Sequence, residues 1–405
     1  MKPTDIFEPP HWKKRQPVLT STKNFKMARS AHAYVRGSTL KFYEWLDSLS
    51  PRSLPEGMSV WICGDCHIGN LGPIASAAGL VEIQIRDFDQ TVIGNPAHDL
   101  IRLGLSLAMA VRGSDLPGVT TTRILEQLID GYTLEFATLR KVPPSERPDV
   151  VYQALKSAQK RSWRHLSKER VAGKTASLPL GKRFWPISRQ ERIAINQIFD
   201  TGDLNSLATQ LGHRPDDAKV KLTDAAYWLK GCSSLGLLRY AVLLDIEGRA
   251  ASGRDLCLID IKEATKAMAP RSPQADMPRD NAERVLMGAK SMSPHLGERM
   301  ASGRLLDRPV FMRELLPEDL KIELDRVSCE EATKAARYFA RVVGRAHARQ
   351  MDPQNRKAWR AELARNRSKT LDAPSWLWSS IVELIATHER GYLDHCRRYA
   401  LGEGP

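Results

Sequence analysis

Residues 64–70 read GDCHIGN and lie between two β-prone runs, MSVWIC at 58–63 and LVEIQIRDFD at 80–89. In the second run Val81, Ile83 and Ile85 alternate with polar residues, the period-two pattern of a strand. A fold that brings two such strand ends around one polar loop gathers carboxylates in one place, which needs a chemical reason. Three chemistries can claim the loop. They are a Cys-x-x-Cys redox pair (Cys63, Cys66), a metal cluster of Cys63, Cys66 and His67, and a carboxylate and an amide five residues apart, Asp65 and Asn70. Asp65 lies between the two thiols, where a carboxylate raises a thiol pKa and opposes activation. No second closely spaced Cys/His pair completes a typical four-ligand zinc site.

The third chemistry is phosphoryl transfer, which needs a carboxylate at the attacking hydroxyl and oxygen ligands for magnesium. Kinase catalytic loops hold an Asp and an Asn five residues apart, with a second metal-binding Asp following. GDCHIGN…RDFD…GNPAHDL resembles the aminoglycoside and choline kinase form of this site. The resemblance implies Asp65 as the base, Asn70 and Asp87 as magnesium ligands, and His67 as a phosphate-facing neighbour. Asp89 is implied as a further ligand or a structural acid, and Asp99 as the brace of the loop.

A nucleotide-clamping β-lobe normally precedes such a loop, and residues 1–58 leave no room for one. The β-rich pattern comes later. KGCSSLGLLRY at 230–240 places a glycine turn (Gly231, Ser233, Ser234, Gly236) between β-prone runs, suited to close approach of backbone N–H groups to phosphates. LCLIDIKEA then puts Lys262 on a strand, like the phosphate-pairing strand lysine of kinases, and the following helix offers Glu283 as its partner. FMRELLP at 311–317, with Glu314 and Leu316, reads as the strand and hinge that hold adenine. Helix EEATKAARYFARVVGRAHARQ resembles the one that ordinarily leads into the catalytic loop. The expected fold class is therefore α+β: a two-lobed, protein-kinase-like fold in circularly permuted order, with a small antiparallel nucleotide lobe and a larger helical lobe. Permutation is permissible when termini lie near each other on the surface. The expected divisions are 1–225, 226–318 and 319–405.

KMARSAHAYVRG, CGDCHIGNLG, IRDFDQTVIGNPAHDLIRL, YWLKGCSSLGLLRY, IKEA and GRAHAR are together similar to the bacterial domain-of-unknown-function family 2252, over roughly 26–349. The resemblance implies a kinase-like fold using ATP and Mg2+, with no acceptor named. Arg36 of YVRG belongs to the shared pattern; it meets a phosphate or acidic substrate, or ties the first helix to the catalytic loop.

Composition narrows the partners. A chain of 405 residues with 42% hydrophobic and 27% charged residues is globular, and its formal charge of +14 attracts anions. The longest apolar run, 100–111, contains Arg102 and is too short for a bilayer, so the expectation is a cytoplasmic protein with no membrane partner and six reduced cysteines. Helices are expected over 26–49 with a break near Gly37, over 99–140, and after about 320. An acceptor pocket is expected from 100–186 and 320–405, and Trp163, Trp185, Trp359, Trp376 and Trp378 are expected mainly in packing. Two alternatives share the fold. One is a nucleotidyl (AMP) transferase; the other is a non-catalytic nucleotide- or nucleic-acid-binding module using the basic stretch 156–174.

Overall fold

The computed structural model describes residues 9–112, 119–139, 142–161, 177–200, 203–211, 214–215, 217–232, 234–247, 256–316, 320, 322, 328–365 and 373–399. Helices α1 (Arg15–Ala28), α2 (Ala31–Gly37) and α3 (Thr39–Asp47) open the fold. Strands β1 (Val60–Ile62), β2 (Leu71–Ala75), β3 (Val81–Ile85) and β4 (Val92–Gly94) follow. Next come helices α4 (Ala97–Arg112), α5 (Val119–Ala137) and α6 (Asp149–Lys160), strand β5 (Phe184–Trp185), and helices α7 (Arg189–Asp200) and α8 (Asp203–Thr209). Strands β6 (Val220–Trp228), β7 (Arg239–Ile246) and β8 (Leu256–Glu263) lead to α9 (Asn281–Met292), α10 (Pro294–Gly297), β9 (Met300–Leu305) and β10 (Arg308–Glu314). Helices α11 (Cys329–Ala348), α12 (Pro353–Leu363) and α13 (Ser375–Tyr399) close it.

The molecule is mixed α+β. Its main sheet is antiparallel, six-stranded and ordered β5-β6-β7-β8-β10-β9, while β1 pairs with β4 and β2 with β3. Every residue of β8 is buried, as expected of a central strand packed on both faces. One face of the sheet joins Leu19 of α1 with α7 and α8, and the other joins Leu178, Phe184, Trp228 and Leu315. The sheet begins earlier than its expected boundary at 226, because that residue lies inside β6 and Phe184 pairs with Trp228. A larger core packs α4, α5, α11 and α13 around the two small two-stranded sheets.

The expected break in the first helical run falls at Ser38, between α2 and α3, and Ser30 caps α2 by accepting from the Ala33 N–H at 3.1 Å. Helix α1 escapes its sequence pattern because it buries only Arg15, Leu19 and Met27. Among the described residues no helix is long and apolar enough to cross a membrane.

Candidate functional site

The loop after β1 turns at Gly64, whose φ of +75° and closeness to Gln90 admit only glycine; a Cβ there would stand 2.1 Å from the Gln90 carbonyl oxygen. Asp99, in the first turn of α4, accepts from the backbone N–H groups of Cys63 at 2.7 Å and Gly64 at 2.9 Å. His347, near the end of α11, lies with Nε2 3.2 Å from the same carboxylate, and its Nδ1 is 2.7 Å from the Tyr132 hydroxyl. Burial pushes the Tyr132 pKa up, so the phenol keeps its proton and donates it to Nδ1. Nε2–H then donates to Asp99, and the loop is braced by α4, α5 and α11 together.

Asp65 is held at both carboxylate oxygens: Arg102 Nε donates to Oδ1 at 2.8 Å and the Thr39 hydroxyl donates to Oδ2 at 3.0 Å. Arg102 is itself fully buried and donates to the Val35 carbonyl at 2.7 Å. Asn70 Nδ2 donates to the Asp65 carbonyl at 2.9 Å. That bond orients the amide and leaves Asn70 Oδ1 as an open oxygen ligand. His67 is buried with Nε2 3.9 Å from Asp65 Oδ2, and burial pushes its pKa down to about 3. It is thus a neutral neighbour of the site, with no positive charge to offer a phosphate.

Lys262 of β8 reaches this place from 175 positions beyond Asp87. Its Nζ lies 3.4 Å from each Asp87 oxygen and bonds Asp89 as well. Two carboxylates share one cation. Burial raises the Asp87 pKa, but the charges of Lys262, Arg313 and Arg239 outweigh it and hold Asp87 below the usual carboxylate range. Asp89 is pushed up to about 6 by burial and by the charge of Asp87. Asp89 Oδ1 is buried without a hydrogen-bond partner among the described residues. Asp87, Asp89 and the amide oxygen of Asn70 are hard oxygen donors on the same cleft, of the type that could hold a hard divalent cation. Beneath them, Asp260 is locked by Arg239 at 2.7 Å, Lys230 at 3.0 Å and Arg313 at 3.6 Å.

The glycine turn between β6 and β7 forms, with φ of +82° at Gly231 and +100° at Gly236. Lys26 of α1 donates to the Gly231 carbonyl at 3.1 Å. Ser234 is buried within the turn, donating to the Lys230 carbonyl and accepting from Arg239, each at 3.1 Å. Its hydroxyl is therefore a structural group. Ser233 lies outside the described residues.

One expected contact is not made. Glu283 is exposed, one step around α9 from the buried positions Ala282, Arg284 and Val285, and it is not the partner of Lys262. Its neighbour Arg284 turns inward instead, donating to the carbonyls of Asp89 at 3.0 Å and Thr265 at 2.8 Å. Glu314 takes Arg214 in a two-pronged buried pair at 3.0 and 2.8 Å, and its carbonyl accepts from Arg299 at 3.0 Å. Leu316 packs against Ala75 and Leu211. The side chains of both residues are thus engaged by the protein, while the adenine contact expected of this stretch is one of backbone groups.

A cleft of about 1290 Å³ joins the two acid loops to the glycine turn. Asp65, His67, Asn70, Asp87 and Asp89 line it, with Arg36, Gly231 and Gly236, and Lys262 stands just behind the acids. Arg36 packs its guanidinium over Gly69 and makes no hydrogen bond among the described residues. The other walls are α1, α2, α3 and α13. Among the described residues none from 100–186 lines the cleft, and from 320–405 the lining residues belong to α13. Trp185, Trp359 and Trp376 are buried in the cores and Trp378 is partly buried against one; Trp163 lies outside the described residues.

The two cysteines of the loop are fully buried. Hydrogen bonding to Cys66, and then burial, push the Cys63 thiol up. The bond to Cys63 lowers the Cys66 pKa, but burial and the Asp99 and Asp65 carboxylates raise it on balance. Neither behaves as an activated thiol. Cys63, Cys66 and Asp99 place ligand atoms within 4.8 Å of one another, yet both Asp99 oxygens are already spent on the brace.

A family model described as an uncharacterized protein conserved in bacteria, DUF2252, matches residues 15–398. The chain belongs to the DUF2252 family. No curated protein and no solved structure matches it. The DUF2252 match starts at the first residue of α1 and ends within α13, so it takes in every wall of the cleft. Within this family member, reading the sequence alone missed Thr39, Arg102, Arg239, Asp260 and Arg284. Of these, only Arg102 carried a signal, as a lone charge inside the apolar run 100–111.

Proposed function

We propose that this protein is an ATP- and Mg2+-dependent phosphotransferase of kinase-like, circularly permuted fold, with its nucleotide lobe encoded after its catalytic loop. One observation carries the reading. Lys262 comes from a strand 175 positions after Asp87, yet it bonds the DFD acids in the same cleft as Asp65 and Asn70. Strand, glycine turn, strand, lysine strand, helix and hairpin follow the order of a kinase nucleotide lobe. The contact of His347 with Asp99 brings the end of α11 to the catalytic loop, as the permuted order requires.

Bound ATP·Mg2+ supplies the transferable γ-phosphoryl group. Asn70 Oδ1, Asp87 and Asp89 would hold the metal, and Lys262, released from the acids, would pair with phosphate oxygens. Asp65 Oδ2 exchanges the Thr39 hydroxyl for the acceptor hydroxyl and takes its proton as the new O–P bond forms and the bond to the ADP oxygen breaks. Arg102 keeps the other oxygen of Asp65 fixed throughout. This assignment is tested by incubating the protein with Mg2+, a bacterial extract and ATP labelled at the α- or the γ-phosphate. Movement of the γ label to an acceptor, lost in Asp65→Asn, is expected. Movement of the α label would instead establish nucleotidyl transfer, and movement of neither would leave a non-catalytic binding module.

A further inference from the structure

The charge of the cleft wall opposite the glycine turn is informative about the acceptor. Seven Lys and Arg residues line the cleft against four acids, and three of those acids are Asp65, Asp87 and Asp89. Among the described lining residues only Asp394 is left to balance them, and it lies 3.3 Å from Arg397 on its own helix. Lys26 stands on the nucleotide side, against Gly231. Arg36, Lys41, Arg390 and Arg398 stand on the opposite side, carried by α2, α3 and α13.

The helices that carry this wall are tied to one another. Tyr34 of α2 packs on Tyr392 and His395 of α13 with ring centroids 6.1 and 5.4 Å apart, and its hydroxyl is 2.8 Å from where a Cβ on Gly391 would stand. Tyr392 donates to the Ala28 carbonyl at 3.1 Å, and His395 Nε2 is 2.9 Å from the Asn24 carbonyl, which ties α13 to α1 as well. Arg36, Arg390 and Arg398 make no ion pair among the described residues, whereas Lys41 pairs with Glu44 at 2.7 Å. The helices are tied together, while Arg390 and Arg398 project from α13 as exposed cations without an anion among the described residues, a wall that suits an anion from outside. Guanidinium forks suit planar or tetrahedral oxyanions.

We infer that the acceptor is an anionic hydroxyl compound, a small molecule bearing phosphate or carboxylate, whose charged group is held by Arg390 and Arg398 of α13 with Arg36 nearer the transferred group. The inference rests on the phosphotransferase reading for the identity of the other half of the cleft. In chemical terms, a reaction that forms a phosphate ester or a sugar acid supplies the substrate, and the product carries one more phosphate.

The test saturates the protein with AMPPNP·Mg2+, so that the nucleotide half is filled, and titrates inorganic pyrophosphate as the oxyanion probe, with kanamycin as a cationic probe and a short RNA as a polyanion. The expected result is pyrophosphate binding on top of the nucleotide, weakened roughly tenfold or more by Arg390→Gln with Arg398→Gln, as loss of charge-assisted hydrogen bonds dictates. Kanamycin should not bind. No pyrophosphate binding, equal binding by the double variant, or tighter binding of kanamycin or RNA would overturn the inference. Arginine-dependent pyrophosphate binding by a protein that never binds AMPPNP·Mg2+ would sink the phosphotransferase reading and leave the anion site standing.

Discussion

At the scale of residues, the site depends on carboxylates whose environments push them apart. Asp87 is held low by surrounding cations, while burial and the charge of Asp87 raise Asp89 beside it; under the proposed function a bound divalent cation would let both ionise. Asp65 differs: it is oriented by a guanidinium on one oxygen and a hydroxyl on the other. Asp65→Asn is expected to lower transfer by about 10²–10⁴ while nucleotide affinity stays near that of the parent, as loss of a general base does. Rapid-quench transfer and equilibrium binding measured on one preparation separate the two quantities. Arg102→Leu should cost more stability than a surface change, about 3–5 kcal/mol, because it strands Asp65 in a buried place; denaturant titration reads this directly. The role of Arg102 was only half legible in the sequence. Its charge stood out within an apolar helix face, but nothing local named Asp65 as its partner, because that contact joins residues 37 positions apart.

At the scale of elements, strongly periodic segments formed where expected. The alternation of LVEIQIRDFD became β3, and DNAERVLMGAKSM became α9. Helix phase was not legible to one residue, so Glu283 was assigned the place that Arg284 occupies. Glu314 ends a strand in the expected place, but the partner of its side chain, Arg214, lies 100 positions earlier and no local pattern named it. Helix α1 was hidden because it buries only two apolar residues, Leu19 and Met27, and turns Gln16, Lys23, Asn24 and Lys26 to the cleft. The turn at Gly64 makes a sharp prediction. Gly64→Ala forces a side chain into the Gln90 carbonyl and holds φ in the left-handed region, so the loop must shift. Loss of transfer with nearly unchanged far-UV circular dichroism is expected; unchanged turnover would mean that the loop geometry is not required.

At the scale of the whole molecule, three histidines are buried in their neutral form. Burial lowers the pKa of His67 to about 3 and those of His98 and His388 to about 4, against 6.5 when exposed. Between those values the unfolded chain binds more protons than the native one, so these groups stabilise the fold above about pH 6.5 and lose that contribution as pH falls. Asp89 acts in the opposite sense, since a raised acid takes up its proton first in the native state, but it is one group against three. Thermal midpoints should therefore fall on moving from about pH 6.5 to about pH 5, and His388→Gln should flatten that slope. A midpoint rising with acid would show that the histidines are charged in the native protein.

The order of parts along the chain was legible because the acid loops and the lysine strand each carry a local pattern. The closing of α13 over the cleft was not, since only the fold brings residues 387–399 to residues 16–41. The central claim is that the gathered acids and lysine form one nucleotide–metal site. The most direct measurement is the thermal shift produced by AMPPNP with and without Mg2+ in the parent protein and in Asp87→Asn. The account predicts a Mg2+-dependent rise in the parent that Asp87→Asn loses. No rise in the parent, or the same rise in the variant, would contradict it.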